Sequence, residues 1–493
     1  MHEWAPQLAK KRISWAASTL WLGFLFLAIV IADSRPASAL PLVTAKVTAL
    51  PAFARKYGMP CSSCHEAWPK LSPFGQSFKD NGYQMGNDRD APIFQSPAYW
   101  PVTFRMTPQW HRETTDRVGV DGPVVGGVPT TVEQRVTTHG FDWSGLDFHT
   151  AGTLAKNFSF YLLPASDNTG AFHFEAIWAR FDNLLGSSWL NIKVGKFELD
   201  NLHSEKRILT LSSNGGLYQN YHFQPMVSPG VGESLYTFGI GDNQVGAEWM
   251  GHSKNDRTRI SAALLSSNDG SPGLPTSRGY DTFIAASQAF EAGSLGLQRV
   301  GVFGYFGQAP TYYQYTQTAT TTVGTDVNNN PVINTTTSPV AGTGVGNKSF
   351  YRAGFIGMWY VKKLDVTSIY FRGWDSVFLG TNTPANQPLP AGARAPTWNG
   401  GLIETHYNIN PTILLLNRYE LIRMDRQTFQ SNPSNLGDLD SLTFGFRYYP
   451  FISSRAGFAF HNEFSVVRQR GAAPVTGLDV TSKSYLAGFD FAF

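Results

Sequence analysis

The chain has 493 residues, a net charge of +3, 15% charged and 14% aromatic residues, and 48 glycines. So small a net charge excludes a nucleic-acid partner that binds through a basic field, and the apolar and aromatic content is too high for a disordered chain. Only two cysteines are present, Cys61 and Cys64, so no disulfide framework, multi-cysteine zinc site or iron–sulfur cluster can be built beyond that pair.

Residues 1–39 read as a signal peptide. Lys10, Lys11 and Arg12 form a basic start, an apolar run extends from about Ala16 to Ala32, and Pro36-Ala37-Ser38-Ala39 supplies a small-residue cleavage site. An uncleaved anchor helix is the alternative, because the run is almost long enough to span a bilayer. Either way, residue 40 onward is exported.

Residues 40–98 carry the chemistry. Cys61-Ser62-Ser63-Cys64-His65 is a C-x-x-C-H sequence, the attachment signature of a c-type haem. Cys61 and Cys64 would form thioethers to the porphyrin, and His65 would be the proximal iron ligand. A redox disulfide is the alternative for a bare C-x-x-C, but no βαβ pattern surrounds it. A segment of roughly 60 residues normally needs a cofactor or partner to fold, and one covalent haem c would supply its core. Phe53, Tyr57, Trp68, Leu71, Phe74, Phe78 and Tyr83 are its expected packing partners. Ser72 to Lys79 predicts a short helix, with Ser72 at the N-cap and Pro73 at the first position. Met85, in a glycine-flanked stretch, is the first choice for a distal iron ligand, against an ordinary apolar residue. Met59 is a poorer candidate, and His111 and His139 could serve only if the barrel surrounds the haem. A water-ligated iron is also open.

From residue 99 to 493 the pattern predicts a transmembrane antiparallel β-barrel. In Tyr485 to Phe493, Tyr485, Ala487, Phe489, Phe491 and Phe493 share one face, opposite Asp490. The same alternation places Arg418 with Glu420, and His461 with Glu463, and sets Arg447 opposite its aromatic neighbours. Apolar-out and polar-in is the membrane-barrel pattern, and a soluble sandwich gives the same period. Export, the terminal aromatic stripe and abundant glycine favour the barrel. About 16 strands are expected, with 146–163 as one strand and another at 232–241. Short turns are expected at 184–187, 362–363, 408–411 and 453–454. Long loops are expected at 199–231, 308–348, 375–396, 425–439 and 469–481, with 308–348 a mobile outer loop or a linker. The overall expectation is an all-β barrel with a small, mostly α-helical haem domain at its N-terminus.

Phe53-Ala54-Arg55-Lys56-Tyr57-Gly58-Met59-Pro60 before the motif, with Trp68-Pro69-Lys70-Leu71, Phe74-Gly75, Phe78-Lys79 and Asn81-Gly82-Tyr83-Gln84 after it, resembles the fused monohaem cytochrome–porins of bacterial outer membranes. The resemblance covers the haem segment and, over the barrel, only length and order of parts. It implies a barrel of about 16 strands holding a single haem, and electron transfer from extracellular Fe(II), as a possible Fe(II) oxidase, to a periplasmic cytochrome or cupredoxin across the outer-membrane lipid. Only Cys61, Cys64 and His65 carry over as site residues. Electron flow outward to extracellular acceptors, and a haem-bearing porin for solute passage, are the competing functions.

Overall fold

The computed structural model describes residues 53, 57, 59, 61–67, 70–80, 102–143, 146–155, 157–166, 169–200, 243–266, 280–309, 313–325, 330–340, 347–381, 383, 386–426, 438–452 and 457–492. The expected signal peptide, Met85 and the strand expected at 232–241 lie outside them.

The segment that carries the C-x-x-C-H sequence contains both helix and strand. Helix α1 (Cys61–Cys64) runs into strand β1 (His65–Ala67), which pairs with β2 (Lys70–Leu71), and helix α2 (Pro73–Asp80) follows. Phe53 and Tyr57 are helical as well, and among the described residues of this segment strand is confined to the hairpin.

The rest is a barrel. Its strands are β3 (Val102–Met106), β4 (Gln109–Asp121), β5 (Thr131–Asp142), β6 (Leu146–Ala155), β7 (Phe158–Ser166), β8 (Phe172–Phe181), β9 (Asn191–Phe197), β10 (Gln244–His252), β11 (Thr258–Ser266), β12 (Tyr280–Glu291) and β13 (Leu297–Ala309). After a separate hairpin of β14 (Tyr313–Thr325) and β15 (Pro331–Val340), it continues with β16 (Lys348–Val361), β17 (Leu364–Asp375), β18 (Thr397–Asn410), β19 (Ile413–Arg426), β20 (Leu439–Ile452), β21 (Gly457–Gln469) and β22 (Val480–Ala492). Helix α3 (Val377–Thr381) lies between β17 and β18. β3 and β4 are one strand interrupted at Thr107-Pro108, where proline has no N–H to give the ladder. They pair with β6 and β5, which act likewise as one. β22 closes the ring against β3 and β4, giving a closed antiparallel barrel of sixteen strands among the described residues.

The faces settle what surrounds it. On β21, Phe464 is 45% exposed while His461 and Glu463 on the other face are 0% and 1% exposed. On β20 the aromatics Phe444, Phe446 and Tyr448 point outward and Arg447 is buried inside. On β22, Tyr485 and Phe489 point outward and Asp490 inward. Aromatics outside and charges inside invert a soluble protein and fit a barrel seated in lipid, where every peptide group must be paired within the ring. Among the described residues no helix is long and apolar enough to cross a membrane.

The connections alternate. On one rim β6–β7, β10–β11, β12–β13, β16–β17 and β18–β19 are joined by short turns and β8–β9 by a longer one, while the opposite rim carries the longest connections, with β7–β8 short as well. Two expectations are corrected. Residues 146–163 form two antiparallel strands, because Asn157 turns the chain in the left-handed region at φ 56°. The stretch 308–348 is no featureless loop, since β14 and β15 pair within it from Tyr313↔Val340 to Thr325↔Pro331. Its threonines are β-branched and favour strands without supplying an apolar face, so a hydropathy reading passes over them.

Replacing Phe464 by Arg puts a charge on the lipid face near the middle of β21. The expected loss is about 2–4 kcal/mol of folding stability in lipid vesicles, read by denaturant titration. An unchanged midpoint would place this face outside the hydrocarbon.

Candidate functional site

The C-x-x-C-H turn is locked onto α2 by backbone. Ser72 donates its N–H to the Cys64 carbonyl at 2.8 Å, and its hydroxyl donates to the Ser63 carbonyl at 3.0 Å. The same hydroxyl accepts the Gly75 N–H at 3.0 Å, which makes Ser72 the N-cap of α2 as expected. His65 is held by its strand pairing with Leu71. A Cβ on Gly75 would lie 2.0 Å from the Cys64 carbonyl oxygen, so only glycine lets the helix approach the motif this closely. Cys64 and His65 are half-buried.

Further along α2 the contacts are aromatic. Phe78 meets Phe53 at 5.2 Å and Tyr57 at 5.6 Å between ring centroids, both edge-on. Phe78 also belongs to one buried cluster with the inward-facing Tyr161, Trp178, Phe197, Phe283 and Phe303. Helix α2 therefore sits inside the barrel, against the wall built by β7–β13.

Polar contacts fix it there. Ser77 donates its hydroxyl to the Asp256 carboxylate in the β10–β11 turn, and accepts from Arg259 Nη2 at 3.1 Å. Arg259 Nε also donates to Asp256 at 2.8 Å, and Arg299 approaches the same carboxylate at 3.9 Å. Arg180 donates to the Lys79 carbonyl at 3.3 Å and pairs with Asp182 at 2.7 Å. Lys79 pairs with Glu198 at 3.3 Å.

Glu198 is inside because the chain turns back after β9. Lys193 reaches both the Glu198 carbonyl, at 3.2 Å, and Asp200, at 2.7 Å. Seven extended residues would span about 23 Å, so 198–200 must fold back toward Lys193. Glu248 completes this buried group, 2.6 Å from Lys193, while its other oxygen accepts the Asp200 N–H at 3.1 Å.

Several expected site residues fall differently. Met85, Trp68 and Tyr83 lie outside the described residues, as does the side chain of Cys61. Phe74 is 42% exposed and is no part of those aromatic contacts. His111 shares the inward face with its cross-strand partner Leu486, whereas His139 is exposed on the outside and cannot reach the lumen. Met59 is half-buried. The lumen charges picked from sequence pair along the wall: Arg418 with Glu420 at 3.2 Å, His461 with Glu463 at 2.6 Å, and Arg447 with Asp490 at 3.4 Å. The groups seen to grip α2 are instead Asp256, Arg259, Arg180 and Glu198, for which the sequence offers no pattern. Among the described residues no group of three or more His, Cys, Asp or Glu could hold a metal ion. A haem would be held differently, because the C-x-x-C-H sequence would bring its own iron ligand in His65. A one-turn helix running into that half-buried histidine, tied to α2 through Ser72 and Gly75, is compatible with a covalently attached macrocycle.

No family model matches the chain, and no curated protein matches it. Solved structures similar to it include an anion-selective porin from Comamonas acidovorans, at 10% identity and TM-score 0.45, covering 80% of this chain and 99% of the porin. The outer-membrane channel DcaP of Acinetobacter baumannii is similar at 10% identity and TM-score 0.45, over 81% and 99% of the two chains. OmpT of Vibrio cholerae is similar at 9% identity and TM-score 0.41, over 81% and 99%. No residue role is carried over from any of them.

Two outcomes are expected. Gly75→Ala should dislodge α2 from the motif at a cost of about 1–3 kcal/mol, seen as a lowered denaturation midpoint of the near-ultraviolet circular dichroism signal. Acid should release the Ser77 contact. Burial pulls the Asp256 carboxyl upward, but the Arg259 hydrogen bond and charge, with Ser77 and Arg299, hold it below the usual carboxylate range. Its contribution is therefore complete above about pH 4, the ordinary value, and is lost as pH falls through the depressed one. Asp256→Asn should abolish that acid-dependent step in near-ultraviolet circular dichroism, and a step that survives would assign it to another group.

Proposed function

We propose that this protein carries electrons across the bacterial outer membrane between an extracellular donor, Fe(II), and a periplasmic cytochrome or cupredoxin. The observation that carries the reading is the seating of α2, with the C-x-x-C-H turn locked to it, inside a membrane barrel. The hydrocarbon layer is about 30 Å thick, too far for a redox group on one side to serve a donor on the other. A site inside the barrel shortens both steps. Cys61, Cys64 and His65 would hold a haem, which would supply a one-electron couple. The chain's own residues do the rest. Gly75 and Ser72 orient the motif, Asp256, Arg259 and Arg180 hold α2 against the wall, and the wall separates the site from lipid. Fe(II) loses one electron outside and the carrier gains one inside, so no further reactant is needed. Met85 remains the proposed distal ligand. Near-complete burial of wall charges such as Arg447, His461 and Glu420 supports an insulated lumen over an open one.

A second reading, a haem-bearing porin for solute passage, is favoured by the closed barrel with its polar inner face. Conductance separates the two. In planar bilayers the electron-transfer reading expects little single-channel current from the intact protein. Steady current of porin size would favour solute passage.

Adding Fe(II) to the purified protein should produce the reduced-haem absorbance bands. His65→Ala should lose them while the barrel still inserts. A haem that stays oxidised in excess Fe(II) overturns Fe(II) as donor, and a strongly negative potential would turn the proposed flow outward.

A further inference from the structure

We propose that the rim of short turns carries the docking surface for the electron carrier, and that the carrier presents an acidic face to it. The inference rests on the function proposed above and adds where the partner binds and what charge it bears. Barrel order makes the β10–β11, β12–β13 and β16–β17 turns consecutive around this rim. Lys254 and Arg257 are exposed on the first, and Lys362 and Lys363 on the third. Glu291, at the end of β12, is the exposed acid among them and pairs with Arg257 at 3.1 Å. Asp256 does not offset the cations outward, since Arg259, Arg299 and Ser77 hold it. Elsewhere on the described rim, the β8–β9 and β18–β19 turns contribute no exposed charge: Asp182 is buried against Arg180, and Pro411-Thr412 carries none.

The basic arc is also rigid and in the right place. Arg299 donates to the Asp256 carbonyl at 2.6 Å, and Lys363 donates to the Ile409 carbonyl at 3.0 Å, so both turns are braced against neighbouring strands. The arc begins at the very turn whose Asp256 holds Ser77 of α2. A protein drawn to these cations thus arrives beside the segment that carries the C-x-x-C-H turn. Charge of one sign clustered on a rim raises the encounter rate of an oppositely charged partner, and salt weakens it.

The test uses the full haem-loaded protein in nanodiscs, reduced with dithionite, and stopped-flow oxidation by two probes: an acidic plastocyanin and a basic c-type cytochrome. With the acidic probe, the second-order rate should fall about tenfold between roughly 20 and 500 mM salt. With the basic probe it should stay level or rise. Lys254→Glu with Lys362→Glu should slow the acidic probe about tenfold at low salt and flatten its salt dependence, while Lys254→Gln with Lys362→Gln should give an intermediate loss. Binding of zinc-substituted plastocyanin, which cannot accept the electron, should weaken in the same order. Rates and binding that ignore salt and charge reversal overturn the surface. So does an effect of the variants confined to insertion into phosphatidylglycerol vesicles, which would assign the arc to lipid headgroups. Fe(II) reduction measured on the same samples separates the two ideas: its loss defeats the proposed function, while normal reduction with salt-insensitive transfer defeats only the docking surface.

Discussion

Closure of β22 onto β3 and β4 is the constraint on which everything else depends. Lipid offers peptide groups no hydrogen bonds, so an open sheet edge in hydrocarbon leaves a row of groups each costing several kcal/mol. Thirteen pairs join β21 to β22, from Gly457↔Ala492 to Gln469↔Val480, and the far edge of β22 is taken up by Gln109–Thr115 and Arg105–Met106. Side chains reinforce the seam, with Arg105 forked onto Asp490 at 3.0 and 3.1 Å and reaching Asp147 at 3.5 Å. Once the ring is closed, the two-residue period assigns every strand position to lipid or lumen, and the aromatic stripe and the inner charges follow.

That assignment makes the lumen an expensive place for charge, and the chain answers with pairs. Arg352 meets Asp375 at 2.7 Å, and Lys193 sits between Asp200 and Glu248. Such pairs add modestly to stability, but deleting one member strands the other in a poor solvent and is strongly destabilising. The same device holds α2. Arg180 belongs to the wall through Asp182 and to the helix through the Lys79 carbonyl, so the seating of α2 and the integrity of the wall are not separate problems.

Much of this could be read from the residues in order, and the limits of that reading are physical. The helix after the motif was legible because Ser72-Pro73 is a local signal, and the last strands were legible because aromatics alternate with single charges over short spans. The role of Gly75 was not, because it depends on how closely α2 crosses the Cys64 carbonyl, which no spacing records. The Ser77–Asp256 contact joins residues 179 positions apart and leaves no trace in either neighbourhood. The strand break at Asn157 was blurred because periodicity continues across it. The β14–β15 hairpin was missed for the opposite reason, having strand-forming residues without apolar alternation.

That hairpin stands apart from the ring, paired only with itself among the described strands, so it has two edges the barrel does not protect. Pro331 and Pro339 lie near opposite ends of β15, and neither has an N–H to offer a third strand. A ribbon with unpaired edges is a standing invitation for another strand to add to it. The two prolines make the β15 edge a poor template for such growth, so strand addition to this ribbon is confined to the β14 edge.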